Sequence, residues 1–431
     1  MAKFNREKAL RKIEFKRKWR NYSRYVYIAV PCVLCCLLCL YFAYSKFFVS
    51  EEQAVIRTTV GDFIYGDIVI SAYIDGEYSN TIPGKDNGYI VEKVSCDNDA
   101  IGKWNSDDWG IMVTDLSKRT KCNVYFKKKP DSKVPEIIAQ LDTSGKCPTV
   151  NDDGSVNVTG VEATNGYLCK AKDAYGDSYY YRGNVTNNYV KFADKYWRIV
   201  RINGDGTVRV IYDGTSAHAN GEASADRQIG TSAFNSSYHD NAYVGYMYGK
   251  TGASTYADAH ANTNNSTIKT YIDDWYKTNI VGTTNEQYLA DNIFCNDRSM
   301  AGNNSGTGAG TSVTYYRWYN GPWESENYSK YNKKMMLTCS QKNDAFTVSD
   351  TTNGNGALTY PVGLLSTDEI ALAGGWNAAN SGYYLYSGQA WWASSPSNFY
   401  AIGALMPYVR SYGDADTDSN THLTLPTKIE V

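Results

Sequence analysis

One segment near the N-terminus restricts the fold of this chain more than any other feature. The 21 residues from Tyr25 to Ser45, YVYIAVPCVLCCLLCLYFAYS, carry no charged side chain. A helix needs about 20 apolar residues to cross the hydrocarbon core of a bilayer. Ten Lys and Arg against two Glu precede the segment, and such basic flanks stay in the cytoplasm. The sequence therefore predicts a basic cytoplasmic tail at 1–24, a transmembrane helix at 25–48 and an extracytoplasmic remainder.

A cleaved signal peptide or a lipid anchor would also begin with a basic stretch and an apolar core. Signal cleavage needs a small-x-small site, whereas the bulky sequence KFFV follows the core at 46–49. The residues before the four cysteines of the segment are not the small ones that a bacterial lipobox prefers. We therefore expect an uncleaved single-pass protein of a bacterial cell membrane, held by residues 25–48.

The charge and composition of the remainder exclude one class of partner and favour a β-rich structure. The formal net charge is −2 and the N-terminal tail contributes +8, which leaves about −10 for the rest. Nucleic-acid binding requires a basic patch, so no nucleic-acid partner is predicted. Tyr occurs 38 times and Gly 36 times, a composition typical of strands joined by long polar loops.

Six cysteines lie beyond the apolar segment, and an even number in an exported chain favours disulfides. Six cysteines allow 15 pairings in principle. Sequence neighbours are the economical choice, which predicts Cys96–Cys122, Cys147–Cys169 and Cys295–Cys339. No two of them have C-x-x-C spacing, so neither a zinc ribbon nor a thiol-exchange motif is expected.

The chain after the apolar segment divides into two predicted domains. Residues 50–60 are a stalk, and period-two patterns at 63–74, 88–96, 109–116 and 122–127 predict a small immunoglobulin-like β-sandwich at 61–127. A charged, proline-containing linker follows at 128–159. A larger domain of mixed α+β class with long loops is expected at 160–418.

The larger domain contains predicted strands and three predicted helices. Strands at 178–183, 187–202 and 207–214 include a hairpin turn at 203–206. One helix begins at the N-cap Ser266, and a second is expected at 285–294. A third begins at Ser366, which forms a capping box with Glu369, and ends at Gly374.

Several stretches of this domain carry a resemblance to a known group of proteins. They are NNYVKFADKYWRIVRINGDG (187–206), STIKTYIDDWY (266–276), FCNDR (294–298), YPVGLLSTDEIALAGG (360–375) and WWASSP (391–396). In these stretches the chain resembles exported bacterial surface proteins of unknown function that have a C-type-lectin-like domain, related to formylglycine-generating enzymes. The resemblance implies a lectin-like α+β fold joined to β-sandwich modules and to a membrane or wall anchor.

The C-terminus departs from that family. Its members close the domain with a strand around Val-Arg-Pro-Val, whereas this chain ends SNTHLTLPTKIEV. The heptapeptide at 421–427 looks like a translated sequencing-library adapter. We therefore predict that residues 419–431 are a non-native tail, and that the last core strand is missing.

Catalytic and metal-binding motifs are not found in the sequence, so no catalytic residue, metal ligand or cofactor is predicted. None of the four histidines lies in an H-E-x-x-H pattern. Asp414, Asp416 and Asp418 imitate the start of a calcium loop, but Ser419 and Leu425 stand where an EF-hand needs Gly and Glu. The pattern leaves calcium binding open without supporting it. Cys295 and Cys339 lie too far upstream for a formylglycine-generating active site, so we interpret them as structural.

Aromatic residues are the remaining candidates for recognition. Trp318, Tyr319 and Trp323 in the long loop at 296–333, together with Trp391 or Trp392, are predicted to form a platform on which sugar rings stack. The alternative is that these residues pack in the core. We therefore predict a membrane-anchored, non-catalytic adhesion or ligand-binding protein that contacts a glycan or a protein outside the cell. An extracytoplasmic enzyme acting on cell-wall or host glycans, or a structural surface module, are the alternatives.

Overall fold

The computed structural model describes most of the chain beyond residue 67 and a short stretch near the N-terminus. The described residues are 11–12, 14–20, 68–106, 108–115, 119–129, 132–158, 161, 163–301, 305–320, 334–375, 380–400, 403–419, 423–424 and 428–430. The chain divides into two compact units, Met1–Pro130 and Asp131–Val431. The domain boundaries expected from the sequence remain predictions.

In the first unit residues 11–12 and 14–20 are helical, and the described residues from Ile68 onward form a four-stranded sheet and a separate hairpin. The sheet has the spatial order Glu77–Ser79, Ile68–Ile74, Thr120–Lys128, Tyr89–Cys96, with Ile68–Ile74 and Thr120–Lys128 parallel. The hairpin pairs Ile101–Asn105 with Gly110–Thr114. Trp109 of the hairpin packs with Val124 and Phe126 of the sheet in a shared core.

Two larger sheets, each of seven strands, dominate the second unit. The first has the order Val362–Gly363, Lys428–Glu430, Val208–Gly214, Lys195–Ile202, Gly176–Arg182, Tyr167–Asp173, and Tyr189–Phe192 also pairs with Lys195–Ile202. The second has the order Thr231–Ser232, Leu423–Thr424, Trp391–Trp392, Gly403–Val409, Asn398–Tyr400, Thr314–Tyr315, and Ala415–Asp418 also pairs with Gly403–Val409. Apolar side chains from both sheets and from the helix at 267–279 form the main core.

Shorter elements complete the second unit. Small sheets pair Met247–Tyr248 with Asn264–Asn265, Phe294–Cys295 with Ala345–Phe346, and Val156–Asn157 with both Lys334–Met335 and Thr149–Val150. The α-helices of this unit are Val134–Ile138, Tyr256–Ala259, Thr267–Asn279 and Thr367–Ala373. Single 3-10 turns lie at Ala225–Arg227, Asn241–Val244, Glu286–Tyr288, Arg317–Asn320 and Lys342–Asp344.

The local signals at two predicted helices are confirmed. The Ser266 side chain accepts a hydrogen bond from the Lys269 backbone, which caps the helix Thr267–Asn279. Ser366 and Glu369 form the predicted capping box, and Gly374 ends that helix with a left-handed φ of 119°.

The predicted α+β fold class is wrong. The described residues are mostly strands arranged in several small sheets, and the helices are few and short. The expected helix at 285–294 is a 3-10 turn at Glu286–Tyr288 followed by extended chain. The Asp291 carboxylate ties this extended segment to a distant loop, because it accepts hydrogen bonds from the Val348, Ser349 and Asp350 backbones.

The predicted localisation also requires correction. Among the described residues no helix is both long and apolar enough to cross a membrane. The longest α-helix of the second unit, Thr267–Asn279, has 13 residues, whereas a spanning helix needs about 20. A single-pass anchor in a bacterial cell membrane is therefore not supported. Residues 25–48, to which that helix was assigned, lie outside the described residues.

Part of the C-terminal segment is a strand inside the first large sheet. Lys428–Glu430 pairs with Val208–Gly214 on one side and with Val362–Gly363 on the other, and Ile429 is fully buried. Residues 428–430 thus lie between two other strands of this sheet. The origin of residues 419–431 stays a prediction.

Candidate functional site

The structure does not gather the predicted aromatic residues into an exposed platform. Trp318 is 3% exposed and packs in a small core cluster with Val156 and Met335. Tyr319 is half-buried, and its ring lies 4.4 Å from that of Tyr315. Trp323 lies outside the described residues. Burial of Trp318 agrees with the alternative interpretation, in which this tryptophan belongs to the core.

The adjacent pair Trp391 and Trp392 is also buried. Trp392 is fully buried, donates its indole N–H to the Ser232 carbonyl at 2.9 Å, and packs edge-on against Phe234. Trp391 is 3% exposed and forms part of the wall of a pocket. Trp391 is therefore a predicted recognition residue that lines the candidate site.

The three predicted disulfides are present. Cys96 is bonded to Cys122, Cys147 to Cys169 and Cys295 to Cys339, at sequence separations of 26, 22 and 44 residues. Each pair lies within one of the two units. Disulfides of this kind persist in oxidising compartments.

Two paired strands and a returning segment build the pocket beside Trp391. Arg198 comes from Lys195–Ile202, and its strand neighbour Val208–Gly214 contributes three consecutive residues, since Arg198 and Ile211 are directly opposite. The remaining walls come from the turn around Arg227 and from the segment at 384–391. The lining residues are Arg198, Ile211, Tyr212, Asp213, Arg227, Gln228, Tyr384, Leu385, Ser387 and Trp391, and we call this the Arg198 pocket.

Arg198 is buried without a matching carboxylate. Its guanidinium donates to Asn188 Oδ1 at 2.8 Å, to the Tyr189 hydroxyl at 2.8 Å, to Asn220 Oδ1 at 3.0 Å and to the Val185 carbonyl at 2.7 Å. All of these acceptors are neutral, and within the described part of the chain Arg198 forms no ion pair. Burial lowers the pKa of Arg198, which expresses the cost of holding this charge away from water.

An ion pair between Arg227 and Asp213 lies beside Arg198 in the pocket lining. The Arg227 guanidinium binds Asp213 Oδ1 at 3.0 Å through Nε and at 2.8 Å through Nη2. Burial raises the pKa of Asp213, and Arg227 opposes that shift. The lining of the Arg198 pocket therefore carries two positive charges and one negative charge.

A histidine bridge holds the loop that carries Arg227. His218 Nδ1 lies 2.9 Å from Glu222 Oε1, and His218 Nε2 lies 2.9 Å from Asp226 Oδ1. Burial disfavours the charged imidazolium, but the hydrogen bonds to Glu222 and Asp226 outweigh it and raise the pKa of His218. The contacts among His218, Glu222 and Asp226 thus hold this loop at one side of the pocket.

Two hydrogen-bonding groups at the pocket have no partner among the described residues. The Tyr384 hydroxyl is buried and unbonded, and so is Gln228 Nε2. Burial raises the pKa of Tyr384 well above its usual range, so the phenol stays protonated and can donate. Buried polar groups in native proteins nearly always have partners, so an unbonded donor at a cavity indicates space for a ligand or for water.

In a second polar pocket the charged side chains are paired with one another. We call it the Arg317 pocket; it is lined by Arg201, Arg209, Arg317, Asp368 and Glu369 together with Ile293, Cys295, Met336, Leu337, Thr338 and Ser366. Every arginine in it is paired. Arg201 binds Asp173 at 2.6 Å and Glu369 at 3.3 Å, Arg209 binds Glu369 at 2.7 Å, and Arg317 binds both Asp297 and Asp368.

The carboxylates of the Arg317 pocket are engaged on both oxygens. Asp368 receives Arg317 on one oxygen and the Met336 backbone N–H on the other. Glu369 receives two arginines on Oε1 and the Ser366 capping-box bonds on Oε2. A glycosidase needs two carboxyl groups available for proton transfer or attack, and these two are committed to structural bonds.

Other candidate groups also have structural partners. Within the described ranges no cluster of three or more His, Cys, Asp or Glu is placed to hold a metal ion. Arg410 pairs with Asp414 and Asp416, the residues that imitate a calcium loop. His260 is fully buried, and burial next to Arg298 lowers its pKa well below the usual range.

Comparison with protein families, curated proteins and solved structures finds no match to this chain. The resemblance to C-type-lectin-like surface domains therefore stays a prediction.

Sequence reasoning missed the Arg198 pocket, although one signal for it was present. Arg198 and Arg201 interrupt the otherwise apolar strand KYWRIVRI, and Arg209 does the same in VRVIYDG. Arginines are rarely fully buried unless they are paired. A charged residue inside such a strand thus predicts either an ion-pair network or a ligand site, and the sequence does not say which.

Proposed function

We propose that the unit Asp131–Val431 is a non-catalytic ligand-binding module that works outside the cytoplasm and binds its ligand, a small glycan or the end of one, in the Arg198 pocket. The three disulfides of the chain, two of which lie in this unit, support the oxidising location. The observation that carries the proposal is the buried, unmatched guanidinium of Arg198 in one cavity with the unbonded Tyr384 hydroxyl.

The shape and chemistry of the pocket support a sugar-like ligand. Ligand sites combine apolar walls with a few well-placed polar groups. Tyr212, Leu385 and Trp391 supply apolar surface, and Asp213 and Gln228 supply groups that bind hydroxyls. Binding rather than catalysis is favoured because the acids of the Arg317 pocket are held by arginines and backbone donors.

A glycan array probed with the full chain tests this proposal. Ser387 keeps more exposure than most of the lining, so Ser387→Phe should fill the mouth of the pocket without removing a buried bond. We expect selective binding by the unaltered chain and its loss in Ser387→Phe. The matched control is Ser254→Phe, which adds the same ring at an exposed serine that does not line the pocket. A folded, monomeric sample that binds nothing on the array would disprove the proposal.

A further inference from the structure

Seven Asn-Gly pairs occur in the chain, and a pair of this kind can react with itself. The glycine backbone nitrogen can attack the side-chain carbonyl carbon of the asparagine, because glycine has no Cβ to hinder the approach. The attack is easiest where the glycine N–H is not hydrogen-bonded and the asparagine side chain is free to turn. The pairs begin at Asn87, Asn165, Asn203, Asn220, Asn320, Asn353 and Asn355, of which Asn320–Gly321 extends beyond the described residues.

Three of these glycines are hindered from attacking, because their N–H groups are held in hydrogen bonds. The acceptors are Asp173 Oδ2 for Gly204 at 3.0 Å, the Tyr386 carbonyl for Gly221 at 2.8 Å and the Thr347 hydroxyl for Gly356 at 3.0 Å. The Asn220 side chain is held as well, since it donates to Asn184 Oδ1 at 2.7 Å and accepts from Arg198 at 3.0 Å. Each such bond must break before the reaction, which raises the barrier.

Two further pairs are held by a side-chain bond or by packing. Asn353 donates through Nδ2 to Asp350 Oδ2 at 3.1 Å, and the Gly354 that follows it is buried. The Gly166 backbone lies directly against another part of the chain, because a Cβ on Gly166 would be 2.5 Å from the Asn184 carbonyl oxygen. Neither backbone segment has room to turn towards the attacking geometry.

The pair Asn87–Gly88 lacks these restraints. Both residues are exposed, in a turn at 84–88 that the Asn87 N–H closes by donating to the Gly84 carbonyl at 3.1 Å. Within the described part of the chain, neither the Asn87 side-chain amide nor the Gly88 N–H has a hydrogen-bond partner. Apart from the neighbouring residues, no described atom lies within 4 Å of where a Cβ on Gly88 would be. The attacking nitrogen and the amide are therefore both accessible.

We propose that Asn87 is a site of spontaneous deamidation in the folded protein. The Gly88 nitrogen forms a bond to Asn87 Cγ and the bond from Cγ to Nδ2 breaks, so that ammonia leaves with the Gly88 proton. Water then opens the resulting five-membered ring at either of its two carbonyl carbons, which yields aspartate or isoaspartate. The reaction uses water alone as co-reactant. This inference is independent of the proposed function.

The isoaspartate product should loosen one end of a strand in the first unit. In isoaspartate the Cβ atom becomes part of the main chain, which lengthens the link to Gly88. The Gly88 carbonyl accepts a hydrogen bond from the Lys129 N–H at 2.7 Å, and the next residue, Tyr89, pairs with Lys128. These contacts begin the edge strand Tyr89–Cys96. A displaced Gly88 would therefore weaken the Lys129 bond first.

Peptide mapping of the full chain by mass spectrometry, after incubation at pH 8 and 37 °C, tests the inference. Each deamidated peptide gains one mass unit. We expect Asn87 to react at least about tenfold faster than Asn203, Asn220 and Asn355, whose following glycines are hydrogen-bonded. The control is the reduced chain unfolded in guanidinium, in which these bonds are lost and the four sites should react at similar rates. Equal rates at the four sites in the folded chain would overturn the inference.

Asn87→Gln keeps an exposed amide but places its carbonyl carbon one bond farther from the Gly88 nitrogen. We expect deamidation at position 87 to slow by at least about tenfold while the other sites keep their rates. An unchanged rate at position 87 would show that the Gly88 nitrogen is not the attacking group.

Hydrogen exchange at the Lys129 amide tests the structural consequence. The isoaspartate form, separated by chromatography, should exchange this hydrogen about tenfold faster than freshly purified Asn87→Asp, as loss of one hydrogen bond implies. Asn87→Asp is the matched control, because it has the new charge with an ordinary backbone. Equal exchange in the two proteins would contradict the predicted loosening of the edge strand.

Discussion

The Arg198 pocket and the Arg317 pocket use the same residue types with opposite results. In the Arg317 pocket the buried Arg201 and Arg209 and the partly buried Arg317 meet Asp173, Asp297, Asp368 and Glu369. Although burial alone would lower the pKa of Arg317, Asp368 and Asp297 raise it above its usual range. For Arg198 burial dominates and the pKa falls, because its hydrogen-bond acceptors are neutral.

The difference distinguishes arginines that stabilise the fold from one that is available to a ligand. A buried charge costs several kcal/mol unless a partner compensates it. In the Arg317 pocket the compensation comes from the chain itself, so the pocket has little to offer an anion. In the Arg198 pocket the chain supplies neutral hydrogen-bond acceptors instead, so the compensation is incomplete.

The largest expected effect is in the charge-matched pocket. Arg317→Met leaves Asp297 and Asp368 buried without their shared partner, and this should lower the free energy of unfolding by about 3–5 kcal/mol. Urea denaturation measures it. Lys334→Met is the control, because the Lys334–Asp153 pair is exposed and should contribute little. A cost for Arg317→Met no larger than that of the control would show that this pocket is not a structural network.

The disulfide at the Arg317 pocket should have the next largest effect. Replacing Cys295 and Cys339 by Ser opens a loop of 44 residues and should lower the free energy of unfolding by about 2–4 kcal/mol. Combined with Arg317→Met, the loss should be non-additive because Cys295 lines the same pocket. When Cys147 and Cys169, which do not line this pocket, are replaced instead, their loss of stability and that of Arg317→Met should add up. If the losses of stability add up in both comparisons, the Cys295–Cys339 disulfide does not contribute to the stability of the ion-pair network.

Loss of the unmatched arginine should cost less than loss of the matched one. Arg198→Met removes hydrogen bonds to neutral groups but also removes an uncompensated charge, so we expect a cost of about 1–3 kcal/mol. Thermal and urea unfolding measured beside Arg317→Met give the comparison directly. A larger cost for Arg198→Met than for Arg317→Met would reverse the distinction between the two pockets.

The smallest expected effect is a pH dependence from the His218 bridge. The pKa of His218 is raised in the folded state, so its protonated form stabilises the fold. This contribution is complete below the unfolded pKa of about 6.5 and is lost as the pH rises through the higher folded value. Denaturation at pH 6 and pH 9 should show the unaltered chain losing more stability over this interval than His218→Gln. His239→Gln, at an exposed histidine, should behave like the unaltered chain.

Much of the local structure could be predicted from the sequence. The caps at Ser266 and Ser366, the hairpin turn at 203–206 and the pairing of neighbouring cysteines all depend on residues close together in the chain. The fold class could not be predicted in this way. The resemblance and three predicted helices suggested a mixed α+β domain, but the segment 285–294 is mostly extended, and Asp291 within it binds the backbone of a loop 57 to 59 residues away.

The candidate site was decided by the tertiary structure for the same reason. The sequence by itself places Arg198, Arg201 and Arg209 among apolar strand residues, whereas their burial is a result of the tertiary structure. It did not determine which of them would be neutralised, because Glu369 reaches Arg201 across 168 residues and Asp368 reaches Arg317 across 51. Local rules act over a few residues, whereas a buried charge is compensated by whatever carboxylate the folded chain brings beside it. Only the packing of the second unit left Arg198 without one.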